Sequence, residues 1–234
     1  MPPPKSHPEI EILNEMQRFL HAAVHDLRSA QRRTGTAAEL FLQAGDDRER
    51  GELTSQLLQS LSRTEELLAG IGSYGTALGP GNYSIHGFPS VSAVRFALAH
   101  LERYIRETGA TITIGDLPEI MGDRDRLAEL FEHLLGNALK FRGPDPPAIE
   151  IAARRVPEGW LFSVKDNGIG ILPKYRDRLF VPFRRLHGAE FPGIGLGLAI
   201  SKKIVEAHGG SIWIGDSGGS GVTFSFILPG ADGA

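Results

Sequence analysis

A histidine followed by an aspartate lies on a segment with a heptad pattern. His25 is two residues, or about 200° of helix rotation, from each of the seam positions Ala23 and Leu27. The imidazole is therefore expected to face solvent, with Asp26 beside it. An exposed imidazole next to a carboxylate can be kept in one tautomer and used as a nucleophile. A solvated helix residue without a catalytic role is the alternative that this spacing leaves open.

A second group of polar residues shares one face of a later helix. His133, Asn137 and Lys140 follow the i, i+4, i+7 spacing of a helix face. An amide oxygen suits the hard cation Mg²⁺, and an ammonium group can neutralise phosphate. This face is a candidate for holding a metal and a phosphate group, although an ordinary polar face has the same spacing.

Two glycine-rich loops add groups that suit nucleotide binding. Asp166 ends a predicted strand and begins DNGIGI (the first glycine loop, residues 166–171). A carboxylate there can accept a hydrogen bond from an adenine amine, and the glycines let the backbone approach a base. GIGLGLAI at residues 193–200 enters a predicted helix, whose free N–H groups favour phosphate. This second loop lacks the spacing of a dinucleotide fingerprint or a P-loop lysine motif, and a flexible turn is its alternative interpretation.

Two heptad seams must position His25. Apolar or small residues recur at spacings of three and four along residues 13–41, and the pattern resumes along residues 54–71 after a charged break at residues 45–51. The pattern predicts two helices joined as a hairpin. Because such a hairpin exposes a long apolar stripe, two copies are expected to pair into a four-helix bundle, forming a homodimer. The seam positions are Leu13, Met16, Leu20, Ala23, Leu27, Ala30, Thr34, Ala37 and Phe41, followed by Thr54, Leu57, Leu61, Thr64, Leu68 and Ile71.

The rest of the chain predicts a second domain of the α+β class, with helices on one face of a mixed sheet. Residues 72–89 are rich in Gly, Pro and Ser, which indicates a linker leading into a short strand. The expected domains are residues 1–72, a linker with the first strand at 73–89, and residues 90–234. Helices are predicted at 91–108, at 123–142 and up to His208, and strands at 110–114, 148–154, 160–165, 211–214 and 221–228.

Composition excludes several classes of function. The 234 residues are enough for one to two domains. The net charge of −3 argues against nucleic-acid binding driven by electrostatics. The absence of cysteine excludes disulfide scaffolds, thiolate zinc sites and cysteine nucleophiles. Because no apolar run approaches about 18 residues, we expect no membrane contact within this chain and a cytoplasmic protein, or the cytoplasmic portion of a larger sensor.

In this order, the motifs resemble those in the catalytic core of the sensor histidine kinases of two-component systems. HDLR at residues 25–28 is similar to the H box of their dimerisation and phosphotransfer domain. The resemblance implies a helical hairpin followed by an α/β sandwich of the GHKL ATPase type. Residues 183–188 and 200–210 are most similar to the phytochrome-like branch. The remaining matches are NALKF at 137–141 to the second half of the N box, DNGIGI at 166–171, GIGLGLAI at 193–200 and GVTF at 221–224 to the G boxes, and LFVPF at 179–183 to the F box.

The resemblance also implies an activity. His25 would accept a phosphoryl group from ATP, with Asp26 as general base, and would pass it to an aspartate on the receiver domain of a response regulator. Asn137 would hold Mg²⁺, and Lys140 would contact the phosphates. Asp166 would recognise adenine with the help of Thr223.

The resemblance further implies a mobile lid over the nucleotide, formed by Pro173–Phe191 and anchored by Phe180 and Phe183. Arg184 or Arg185 would reach the γ-phosphate from this lid; a solvated basic patch is the alternative. The complete set of implied nucleotide-binding residues is Asn137, Lys140, Phe141, Asp166, Gly168, Gly170, Phe183, Arg184, Gly193, Gly195, Leu196, Gly197 and Thr223.

Three residues depart from the family pattern. Ala30 stands where a proline is usual, so the helix that carries His25 should be less kinked. Ser29 replaces the more usual Thr or Asn, which leaves phosphatase activity open. His133 stands where the N box often has its first Asn and where related ATPases have a water-activating Glu. We therefore expect ATP to be used on His25 rather than on water.

Two other functions stay compatible with the sequence. One is a catalytically weak, dimeric ATP-binding scaffold or nucleotide sensor. The other is a serine kinase or anti-sigma factor with the same nucleotide fold, against which the helical hairpin carrying His25 counts.

Overall fold

The computed structural model describes residues 8–78, 83–185, 191, 193–215 and 221–230. They form a helical hairpin followed by an α/β sandwich. Parts of the predicted linker, the lid and the turn of the closing hairpin lie outside the described residues.

Two long helices make the helical hairpin: α1, Pro8–Gln43, and α2, Asp47–Leu78. Asp46 precedes α2, and its Oδ1 accepts a hydrogen bond from the amide of Glu49 at 2.8 Å. The Glu49 carboxylate in turn accepts from the amide of Gly45 at 3.0 Å. The turn is therefore shorter than the predicted break at residues 45–51. As expected from the missing proline, α1 continues without interruption through Ala30.

The contact between α1 and α2 recurs every seven residues on each helix. Thr34 Oγ1 and Ser60 Oγ lie 2.7 Å apart across this contact. The buried rows are Ala23, Ala30 and Ala37 on α1, and Leu53, Ser60, Leu67 and Tyr74 on α2.

Half of the predicted seam positions on α2 lie outside the contact with α1. Thr54, Leu61 and Leu68 are exposed in the single chain, because each follows a buried residue by one position, or about 100° of rotation. The buried row on α2 cannot be recognised from apolar residues alone, because Ser60 is polar. Its hydroxyl is accommodated by the hydrogen bond with Thr34.

The sandwich contains a two-stranded and a five-stranded sheet. The small antiparallel sheet pairs β1 with β3, and the large sheet has the order β2-β4-β5-β7-β6. In the large sheet β2 and β4 are parallel, and the other pairs are antiparallel. The strands are β1 His86–Pro89, β2 Thr111–Ile114, β3 Glu119–Gly122, β4 Ala148–Val156, β5 Gly159–Asp166, β6 Ser211–Gly215 and β7 Thr223–Leu228; the helices are α3 Val91–His100, α4 Glu102–Thr108, α5 Arg124–Lys140 and α6 Gly197–Ala207.

An aromatic cluster joins α5 to the large sheet. Phe162 of β5 and Phe226 of β7 are cross-strand partners whose rings stack at 5.0 Å. Phe131 of α5 meets both rings edge-on, at centroid distances of 6.3 and 5.7 Å. This packing produces the predicted α/β sandwich and fixes the position of α5.

Three elements differ from the prediction. The helix predicted at residues 91–108 is interrupted at Leu101, which gives α3 and α4. Strand β3 was not predicted. The second helix of the hairpin continues six residues past residue 72, to Leu78, because Tyr74 and Ala77 are buried. Their burial offsets the low helix propensity of the nearby glycines.

Candidate functional site

A cavity of about 550 Å³ lies between the helical hairpin and the sandwich. Its walls come from α2, α5, both glycine loops and the lid, of which the structure describes residues 173–185 and Phe191. Ten of the thirteen residues predicted to bind nucleotide line it. They are Asn137, Lys140, Phe141, Asp166, Gly170, Arg184, Gly193, Gly195, Leu196 and Gly197.

Asp166 is buried at the end of β5 and held by backbone amides. Its Oδ1 accepts hydrogen bonds from the amides of Gly168 at 2.8 Å and Val222 at 3.1 Å. Burial raises the pKa of Asp166, and the two amides act in the opposite direction. Because Oδ1 takes both amides, Oδ2 is the oxygen that can accept a hydrogen bond from a base.

Gly168 and Thr223 lie near Asp166 without lining the cavity. A Cβ at residue 168 would collide with the carbonyl oxygen of Phe141, so glycine is needed where the first glycine loop passes the end of α5. Thr223 points elsewhere, because side chains alternate along β7 and its neighbours Val222 and Phe224 line the cavity. The structure therefore places the backbone amide of Val222 against the Asp166 carboxylate.

The last turns of α5 present Asn137 and Lys140 to the cavity. The Nζ atom of Lys140 lies 4.4 Å from the centroid of the Phe141 ring. Burial, together with the positive charge of Arg185, lowers the pKa of Lys140 to about 8, while Glu66 on α2 acts in the opposite direction. The lysine is thus positioned to bind an anionic group. Without such a ligand, its positive charge is only weakly balanced by negative charge nearby.

The second glycine loop delivers the start of α6 to the cavity. Gly193 and Gly195 have φ angles of 126° and 77°, which favour glycine. The N-cap residue of α6 is Leu196, whose apolar side chain cannot accept the first amides of the helix. These amides are available to an anionic ligand, and the helix dipole favours negative charge there.

Phe183 of the lid faces the hairpin rather than the cavity. Its amide donates to the carbonyl of Gly195 at 2.9 Å, and its φ is 61°. The ring stacks on Phe19 of α1 at 5.5 Å, and Phe19 stacks on Tyr74 of α2 at 4.4 Å. The neighbouring Arg184 and Arg185 both line the cavity.

Sequence reasoning missed the contribution of α2 to this site. Glu66, Gly70 and Ser73 line the cavity, and Ser73 Oγ donates a hydrogen bond to Glu129 Oε1 at the start of α5. Their i, i+4, i+7 spacing marks one helix face, but nothing in that spacing shows what the face contacts.

Glu129 is the acidic centre of this α2–α5 contact. Burial alone would raise the pKa of Glu129, but His133, Ser73 and Arg126 outweigh it and bring the pKa to about 2. Arg126 forms an ion pair with Glu129 at 2.9 Å. The Nε2 atom of His133 is 3.7 Å from Glu129 Oε1, which is too long for a hydrogen bond.

His25 is exposed, as its spacing predicts. Its side chain is 77% exposed, and its Nδ1 lies 3.0 Å from Asp26 Oδ1. When the imidazole is neutral, an Nδ1–H donated to the carboxylate leaves the lone pair on Nε2. The contact between Thr34 and Ser60 sets the register of the hairpin and places His25 level with Ala69, which lines the cavity.

Comparisons with known proteins show the family of the chain. Residues 122–232 match the family described as histidine kinase-, DNA gyrase B- and HSP90-like ATPase. Cyanobacterial phytochrome A from Nostoc sp. strain PCC 7120 is 37% identical over 219 residues, which cover 92% of this chain and 28% of that protein. The chain belongs to the histidine kinase family. It spans less than a third of the length of this relative.

Two solved structures share the fold of this histidine kinase core. Histidine kinase ThkA in complex with the response regulator protein TrrA aligns over 94% of this chain and 63% of that one, with a TM-score of 0.71 and 22% identity. Full-length ShkA in complex with AMPPNP aligns over 91% of this chain and 45% of that one, with a TM-score of 0.62 and 24% identity. In the described part of this chain, no helix combines the length and the apolar character that crossing a membrane requires.

Proposed function

We propose that this chain is an ATP-dependent protein histidine kinase that phosphorylates itself on His25. One observation carries the proposal. One cavity is lined by the buried carboxylate of Asp166, by Asn137 and Lys140, and by the uncapped start of α6. The same cavity borders the hairpin at the level of the exposed imidazole of His25.

The adenine of ATP fits the Asp166 end of the cavity. Oδ2 accepts a hydrogen bond from the exocyclic amine, while Gly170 leaves room for the base. The phosphates then lie toward the first turn of α6 and Lys140, with Arg184 and Arg185 on the lid side.

The same end of α5 fits a magnesium ion. Asn137 supplies an amide oxygen on the cavity wall, and Mg²⁺ is commonly held by few protein oxygens together with phosphate oxygens and water. Such an ion would supply positive charge against the negative charge that develops on the phosphates. Asn137 is the residue that we propose as its ligand.

Phosphoryl transfer uses the free Nε2 of His25. Its lone pair forms a bond to the γ-phosphorus while the bond from this phosphorus to the β,γ-bridging oxygen breaks, so ADP leaves with that electron pair. The imidazole becomes positively charged, and Asp26 stabilises the Nδ1–H and accepts its proton. Most of the rate then comes from positioning and charge neutralisation.

The second step passes the phosphoryl group to an aspartate of a response regulator. The exposure of His25 supports this step, because the aspartate must approach Nε2 directly. Such a kinase would work in the cytoplasm, as a homodimer joined through the hairpin.

Labelling with Mg²⁺ and [γ-³²P]ATP tests the proposal. Wild-type protein is expected to gain an acid-labile label, and His25→Gln should remove it without changing nucleotide affinity. His21→Gln is the matched control, since His21 is another exposed histidine on α1. ATP binding without any label would favour the scaffold or nucleotide sensor, and an acid-stable label would indicate a serine kinase.

A further inference from the structure

Among the described residues that line the cavity, three carboxylates have no part in the chemistry above: Glu66 on α2, and Glu129 and Glu132 on α5. Glu66 lies on α2, is exposed, and lines the same cavity as Lys140. It belongs to the hairpin rather than to the nucleotide-binding domain. Its distance from bound phosphate therefore depends on where the hairpin sits.

The face of α2 that carries Glu66 is fixed against the sandwich at two other points. Ser73 donates a hydrogen bond to Glu129 near the start of α5. Between them, Gly70 packs against Ile194 and Leu196 of the second glycine loop, where a Cβ would come within 2.9 Å of Leu196 Cδ1. The helix face thus runs antiparallel to α5, with Ser73 near its first turns and Glu66 near its last.

This arrangement puts a carboxylate at the phosphate end of the cavity. Glu66 raises the pKa of Lys140, so the two side chains interact electrostatically. A carboxylate that favours the charged lysine also repels the phosphates that the lysine would bind.

We propose that Glu66 sets the affinity of the site for nucleotide phosphate: with the hairpin docked, its carboxylate repels the phosphate tail of ATP and acts as a counter-ion for Lys140. This inference rests on the proposed nucleotide site. Because the repulsion increases with the charge of the phosphate tail, Glu66 weakens the binding of the triphosphate more than that of the diphosphate. It does not affect the binding of adenosine. Movement of the hairpin away from the sandwich removes the repulsion.

Calorimetric titration of the 234-residue chain tests the inference, with a non-hydrolysable ATP analogue, ADP and adenosine as probes in Mg²⁺ at low salt. Glu66→Gln is expected to tighten binding of the analogue by about three- to fivefold, to affect ADP less, and to leave adenosine unchanged. This gain in affinity should be smaller in 0.5 M salt, because salt screens the interaction between charges. Glu65→Gln removes a neighbouring exposed carboxylate outside the cavity and should have no effect.

The outcomes separate this inference from the function on which it rests. Unchanged or weaker binding of the analogue to Glu66→Gln would overturn it, and weaker binding would mean that Glu66 supports the nucleotide or its metal. An equal gain for adenosine would also overturn it, because that gain would come from packing rather than charge. A wild-type protein that binds none of the three probes would refute the proposed nucleotide site itself.

Discussion

At the scale of single residues, the site works through groups whose charge is poorly compensated until a ligand arrives. Lys140 is the clearest case, because burial and the charge of Arg185 hold its pKa near 8. Bound phosphate would stabilise the ammonium form and raise this pKa. Nucleotide binding is therefore expected to take up protons at alkaline pH.

The sign of the resulting pH dependence follows from Lys140. Below about pH 8 the lysine is charged both with and without nucleotide, so affinity is at its full value. As pH rises above about 8, the free protein loses the proton that the complex keeps, and affinity should fall by up to about tenfold per pH unit. Titrations from pH 7 to 9.5, in buffers of different ionisation enthalpy, measure both effects. Lys140→Arg should bind with little pH dependence over this range, since arginine stays charged.

At the scale of elements, α2 packs both against α1 in the hairpin and against the sandwich. One face pairs with α1, and another, through Gly70 and Ser73, closes the cavity. This second contact adds to the burial of Tyr74 and Ala77 in extending α2 into the segment predicted as a linker. The contact depends on the absence of a side chain at residue 70, where Ile194 and Leu196 fill the space.

A bulky residue at position 70 should loosen this contact. We expect Gly70→Leu to raise hydrogen exchange of the amides at residues 200–204, which are hydrogen-bonded in the first turns of α6, by about tenfold, because α2 can no longer approach the loop. Gly72→Leu is the matched control, since a Cβ at residue 72 has nothing within 4 Å. Equal exchange in the two variants would show that the loop is ordered without α2.

At the scale of the whole molecule, the hairpin carries more apolar surface than one copy covers. Leu13, Leu20, Leu61 and Leu68 are 57%, 53%, 49% and 56% exposed, although all four are seam positions. These are the rows that the contact between α1 and α2 does not use. We propose that a second copy covers them in a four-helix bundle.

A charge in these rows should therefore split the dimer. Leu61→Glu removes one buried leucine from each copy, at a cost of about 1.5–3 kcal/mol each before the buried charge is counted. Light scattering at micromolar concentration should show a dimer for wild type and a monomer for this variant. Leu42→Glu changes a leucine that is 83% exposed and outside both seams, and it should stay dimeric. A monomeric wild type would contradict the bundle.

The sequence predicted those parts of the site that depend on local spacing. Asn137 and Lys140 share a helix face, and both glycine loops lie where a strand ends or a helix begins, so their geometry follows from their own elements. Leu61 of the predicted seam lies one position from the buried Ser60, and Thr223 lies one position from Val222, which lines the cavity. Heptad and strand patterns establish how often a buried position recurs more firmly than they establish which positions are buried. The contribution of α2 could not be predicted, because it depends on packing between elements far apart in the chain.

The stack of Phe183 on Phe19 connects the backbone of the lid to the helical hairpin. A non-glycine residue at a φ of 61° costs about 1–2 kcal/mol, and an aromatic pair returns about 0.5–1.5 kcal/mol. The two amounts nearly cancel, so the bent backbone is held by a ring that belongs to another domain. A displacement of α1 by one helical turn would therefore separate Phe19 from Phe183, leaving the hydrogen bond to Gly195 to hold this backbone conformation.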